Sequence, residues 1–127
     1  AQRVYDILDG KARLALAAGH SVVVDAVFAK PEERVAIETV AREAGRAFVG
    51  LWLDAPADAM IARVEQRRGD ASDADRRVVK EQLGYELGPI AWRIVDASGS
   101  LAQTIELAET ALKEAGVRLA EPGPPLP

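Results

Sequence analysis

An α/β fold, a parallel sheet with helices on both faces, is what this sequence predicts, and three observations predict it. SVVVDAVF (21–28) and AFVGLWLD (47–54) are apolar at consecutive rather than alternating positions, as strands covered on both faces are. Segments with helical spacing stand between and around them, the alternation that gives parallel strands with right-handed crossovers. Each predicted strand also runs into an aspartate near its carboxyl end: Asp25, Asp54 and Asp96.

In chain order, residues 2–18 read as a helix. Val4, Leu8, Ala12 and Ala15 form one stripe, Ile7, Leu14 and Ala18 a second, and Gly19 ends it. Two stripes predict burial on more than one side. Residues 21–26 are the first strand. Residues 31–45 are a helix with Pro31 in its first turn, Glu32 and Glu33 at the positive end of the dipole, and Gly45 as C-terminal cap. Its apolar stripe is Ile37, Val40, Ala41 and Ala44. Residues 47–54 are the second strand. Pro56 opens a helix to about Gly69, and GDASDA (69–74) is a polar loop in which Ser72 and Asp75 have capping-box spacing before a helix to about Glu86. RIVDAS (93–98) is a short third strand. Residues 100–115 are the last helix, with Leu101, Ile105, Ala108, Leu112 and Ala115 on one stripe, and EPGPPLP is a proline-rich tail. These elements predict a single domain over 1–118 with a tail at 119–127.

Composition removes several function classes. The 127 residues carry a net charge of −4, so no global basic field exists to hold nucleic acid or an anionic membrane. With no cysteine and one histidine, disulfide scaffolds, thiolate zinc sites and cysteine nucleophiles are excluded, while magnesium on carboxylate and phosphate oxygens is not. No apolar run reaches the roughly 18 residues of a membrane span, and no signal-peptide pattern opens the chain, so a cytoplasmic location is expected.

The ligand crevice of an open α/β sheet lies beyond the carboxyl ends of its strands. Asp25, Asp54, and Asp96 with Ser98 and Gly99 stand there by sequence. Each has a plainer reading, because an aspartate ending a strand often caps the next helix. Asp54, followed by Ala55 and Pro56, fits the cap better; Asp25 stays open between cap and active-site acid. The second constellation is RVEQRRGDASDADRR (63–77), with five arginines in fifteen residues. Arg63 and Arg67 share one helix face and Arg68 adjoins them, a set able to hold phosphates bidentately. Glu65, Asp70, Asp73 and Asp75 offer the alternative of weak surface ion pairs. His20 reads as a turn residue, Trp52 and Trp92 as packing residues, and Tyr85 as a minor pocket candidate. A nucleophilic, phosphatase-like role for Asp25 lacks the D-x-D spacing, since position 27 is valine.

A phosphate-binding G-x-x-x-x-G-K-[ST] loop is absent. The nearest spacing, Gly45 to Gly50, runs into Leu51-Trp52 inside a strand, and Gly10-Lys11 has Tyr5 in place of the first glycine.

Taken together, LAAGHSVVVDAVFAKPEER, GLWLDAPADAMIARVEQRRGDASDA and WRIVDASGS resemble the later part of small P-loop kinases, a group that includes gluconate-kinase-like and zeta-toxin-like proteins. The likeness is strongest to the kinase-like ATPase (AAA-type) domain that some bacteria carry fused behind an aminoglycoside-phosphotransferase-like domain. It covers about residues 2–115, and the L-x-D-A-P…R-x-x-x-R-R-G-D-A-S-D-A block is its most specific piece. The resemblance implies a three-layer P-loop NTPase-like sheet and ATP-dependent phosphoryl transfer to a small-molecule hydroxyl. It implies that Asp25 assists magnesium or acts as base, that Arg63 and Arg67, and less strongly Arg68, contact ATP at the opening of a lid over about 69–86, and that Ser98 and Gly99 lie in the loop near the adenine.

The first strand, the P-loop and its helix are expected before residue 1. In the family's sheet order that strand lies between 21–26 and 47–54, so its absence opens the middle of the sheet, where unpaired backbone is costly to bury. The favoured expectation is a piece of a longer protein, with this chain alone inactive. A partner chain supplying the strand, as in a homodimer, and direct pairing of the two strands in a non-catalytic relic are the alternatives.

Overall fold

A computed structural model describes residues 2–56 and 87–120. They form two compact units, one of residues 2–48 with 87–90 and one of residues 49–56 with 91–120.

The first unit is a helical pair with an extended arm between its two helices. Helix α1 spans Gln2–Ala17 and α2 spans Pro31–Glu43. Each stops where the sequence places glycine: Gly19 and Gly45 adopt φ of 88° and 68°, a left-handed conformation that costs glycine no Cβ clash. Helix α2 begins at Pro31, whose missing N–H is no loss in a first turn. The Glu33 carboxylate accepts the Lys30 backbone N–H at 3.0 Å, half of a capping box. Ile37, Val40 and Ala41 of α2 are buried as the stripe predicts. Val40 is 1% exposed, and burying such a side chain contributes about 1.5 kcal/mol.

Among the described residues helix α1 is covered on one side, where the sequence predicts two-sided burial. Ala12 is buried and Tyr5, Leu8, Ala15 and Leu16 are half-buried beside it. On the second stripe Ile7 and Leu14 are exposed, as is Val4 of the first. No described element lies over that face.

Residues 21–26 are the larger departure. They alternate between exposed and half-buried, the period of an extended chain, yet they join no strand ladder among the described residues. A strand is defined by its partner, and none is present among those residues.

The second unit holds the sheet. Strand β1, Leu51–Asp54, pairs in parallel with β2, Arg93–Asp96. The register sets Leu51 against Arg93 and Asp54 against Asp96, so two aspartates end adjacent strands side by side. Both strands are shorter than 47–54 and 93–98, although the ladder has backbone bonds at each end, Arg93 N–H to the Gly50 carbonyl (2.9 Å) and Ala97 N–H to the Asp54 carbonyl (2.7 Å). Trp92 lies against Gly50, and a Cβ added there would fall inside the indole ring's contact distance. Helix α3, Leu101–Glu114, packs on β2, where Val95 and Ala97 are buried. It opens with a complete capping box in which the Ser100 hydroxyl accepts the Gln103 N–H and the Gln103 side chain accepts the Ser100 N–H. Leu53 and Ile94 are exposed, so the burial on both sheet faces that the sequence predicts is not present among the described residues. Leu101 and Ile105 of the last helix's stripe are exposed too. The architecture is α/β with a small parallel sheet.

Candidate functional site

The acid end of the arm is Asp25. Its residue is exposed, and among the described residues its carboxylate enters no hydrogen bond or ion pair. It does not cap α2: the cap position belongs to Lys30, five residues on, and the carboxylate serving that helix start is Glu33. The plain alternative left open by the sequence is thus removed, and Asp25 stands exposed on the extended segment before α2.

The backbone from Phe28 to Ala29, just past Asp25, is held tightly. Phe28 is buried and adopts φ of 50°, the left-handed region that a bulky residue occupies only when its surroundings impose it. Its N–H donates to the Tyr5 hydroxyl at 2.9 Å, and its ring meets the Tyr5 ring edge-on with centroids 5.3 Å apart. Its carbonyl accepts from the Arg34 guanidinium at 2.7 Å. Arg34 is 4% exposed, and it donates also to the carbonyls of Ala29 (3.1 Å) and Leu87. A guanidinium can be buried this way because its fork of donors meets several carbonyls at once.

Sequence reasoning missed Tyr5, Phe28 and Arg34. One signal was available: Arg34 precedes Ile37 by three and Ala41 by seven, placing a charge inside the apolar stripe of α2. A charged residue there needs buried partners.

In the second unit, Asp96 and Ser98 form a local turn. The Asp96 carboxylate accepts the Ser98 hydroxyl at 2.6 Å and the Ser98 N–H at 2.9 Å. These two bonds, the hydroxyl first, lower the Asp96 pKa below its ordinary value against a small opposing effect of desolvation. A Cβ at Gly99 would meet the Gln103 amide oxygen of the α3 cap, so that flexible side chain would have to move. Ser98 and Gly99 are thus brought together at the strand's carboxyl end, with Asp54 and Asp96 in register beside them. Arg63, Arg67 and Arg68, the lid at 69–86 and Tyr85 lie outside the described residues.

Magnesium fits this donor set only in part. Among the described residues no three carboxylate or histidine groups converge. The described residues by themselves do not make a magnesium site.

Comparison with known proteins gives the family. The model of the family described as an AAA domain matches residues 1–86, and the chain belongs to that family. Its class is P-loop NTPase-like and nucleotide-binding. The match contains Asp25, Arg63, Arg67 and Arg68 and stops before Ser98. Uncharacterized proteins from Mycobacterium bovis (strain ATCC BAA-935 / AF2122/97) and Mycobacterium tuberculosis (strains CDC 1551 / Oshkosh and ATCC 25618 / H37Rv) are each 35% identical over 75 residues, 59% of this chain. The matched stretch is 15% of each relative, so the chain spans a small part of their length. No solved structure matches. No helix among the described residues is long and apolar enough to cross a membrane.

Proposed function

We propose that this chain is the later part of an ATP-dependent P-loop kinase that phosphorylates the hydroxyl of a small molecule. The observation that carries the reading is Asp25: an exposed carboxylate on an extended segment, inside the family match and not spent on capping a helix. In the reaction the acceptor oxygen bonds to the γ-phosphorus, the bond to the ADP oxygen breaks, and the hydroxyl proton passes to the Asp25 carboxylate. Arg63 and Arg67, with Arg68 beside them, neutralise charge on the phosphate oxygens, which suits a reaction driven by positioning and electrostatics. Ser98 and Gly99 border the adenine. A magnesium ion, were one bound with the nucleotide, would neutralise phosphate charge, and Asp25 is the described residue that would face it.

A strand and P-loop from outside this chain complete a three-layer sheet beside residues 21–26. The 95% exposure of Val23, and the absence of a ladder at 21–26 among the described residues, support this. The gluconate-kinase-like and zeta-toxin-like likeness, and fusion to an aminoglycoside-phosphotransferase-like domain, belong to the same proposal; the small share of the relatives that the chain covers agrees with a domain of a longer protein. The test is phosphoryl transfer by a parent protein carrying a G-K-[ST] loop. Asp25→Asn is expected to lower kcat about 10²–10⁴-fold, and unchanged turnover would overturn the role of Asp25.

The same missing ladder favours a second reading, a non-catalytic module that dimerises through 21–26. Sedimentation of the 127-residue chain separates the two. A tight dimer supports the module, and a monomer or unordered aggregate supports the kinase piece.

A further inference from the structure

We infer that Tyr5 and Arg34 are positioning residues for Asp25, acting through the backbone of Phe28; the inference rests on the proposed role of Asp25 as the acid at the reacting centre. Phe28 lies three positions after Asp25, and the polar groups of its peptide units are held from both sides. The Tyr5 hydroxyl, on α1, takes its N–H, and Arg34, on α2, takes its carbonyl and the next one. Within these contacts Phe28 holds a left-handed φ of 50°, a conformation a bulky residue does not favour alone.

The bonds are buried or half-buried, so water competes poorly for them. Ala12 of α1 and Ile37, Val40 and Ala41 of α2 are buried as well and take no part in these bonds. Their distinctive effect is on direction: they fix the angle at which the arm leaves 21–27 for α2, and with it where the Asp25 backbone stands. An active-site acid displaced by about 1 Å loses rate without losing fold. No other described contact holds the Asp25 side chain.

The test compares wild type with Tyr5→Phe and Arg34→Lys, which keep ring and charge respectively. Backbone ¹⁵N relaxation of the 127-residue chain reads order at 25–29. Order parameters near about 0.85 in wild type are expected to fall below about 0.6 there in Tyr5→Phe, with α1 and α2 unchanged. In the parent kinase, Tyr5→Phe is expected to lower kcat about tenfold, leave KM for ATP unchanged, and have no further effect on an Asp25→Asn background. Unchanged order at 25–29 overturns the inference whatever the activity. Lowered order with a kcat loss that persists on the Asp25→Asn background overturns it too, because Tyr5 then acts elsewhere. Full turnover by Asp25→Asn overturns the role of Asp25 and the inference together, and is told apart because the relaxation change is still seen.

Discussion

The Tyr5 hydroxyl accepts the Phe28 N–H at 2.9 Å while the two rings meet at an interplanar angle of 64°. One residue of α1 thus supplies both the packing and the hydrogen bond that fix the backbone just before α2. Tyr5→Phe removes only the second. The N–H is left without this acceptor in a half-buried place, at a cost of about 1–3 kcal/mol. Urea denaturation should show a lower midpoint with an unchanged slope.

Arg34 has the larger effect. Its guanidinium serves carbonyls of Phe28, Ala29 and Leu87, and Arg34→Met of similar length leaves them without it. The expected loss is about 3 kcal/mol, since bonds to a charged donor are the stronger kind. Arg34→Lys should recover less than half, because one ammonium cannot reproduce the planar fork. Equal stability of Arg34→Lys and wild type in the same urea titration would contradict this role.

Gly50 and Trp92 make a prediction in the second unit. The Gly50→Ala Cβ would overlap the indole, so ring or strand must move. Overpacking of this kind costs about 1–3 kcal/mol. A changed near-ultraviolet signal together with a lower thermal midpoint should report it.

Asp96 gives a pH dependence with a definite sign. Its folded pKa is lowered from 3.8 by the two bonds from Ser98. The unfolded chain then binds the proton more readily, so the contribution is present above the unfolded pKa and is lost as pH falls through the folded one. Asp9 acts oppositely: burial, and then Asp6, raise its pKa from 3.8 against the pull of Arg13, so its ionised form opposes folding above that range. Carbon-13 titration of the Asp96 carboxyl in Ser98→Ala should show its pKa rising towards the ordinary value.

Local rules made most helix limits legible. Gly19, Pro31 and Gly45 mark their positions within a residue or two of the ends seen, because glycine and proline act through their own backbone. Ser100 and Gln103 carry a capping-box pattern as plain as the one read at Ser72 and Asp75, which lies outside the described residues. Burial was harder to read. Val23, Leu14 and Ile94 are apolar in pattern but exposed, because what covers a face is a property of neighbours, which periodicity does not reveal. Residues 21–26 show the same limit, since a strand-like pattern does not say whether a partner strand lies beside it; among the described residues none does. Asp25 was singled out by its place at the end of an apolar run, whereas the Tyr5–Phe28 hydrogen bond joins positions 23 apart, and the Arg34 contacts left one trace, a charge in the stripe of α2.

The central claim is that the nucleotide phosphates are held by a G-x-x-x-x-G-K-[ST] segment this chain does not contain. Calorimetric titration of the 127-residue protein with Mg-ATP tests it most directly. No saturable binding tighter than about 1 mM, roughly −4 kcal/mol, is expected, and no release of ADP. Micromolar affinity with turnover would contradict it.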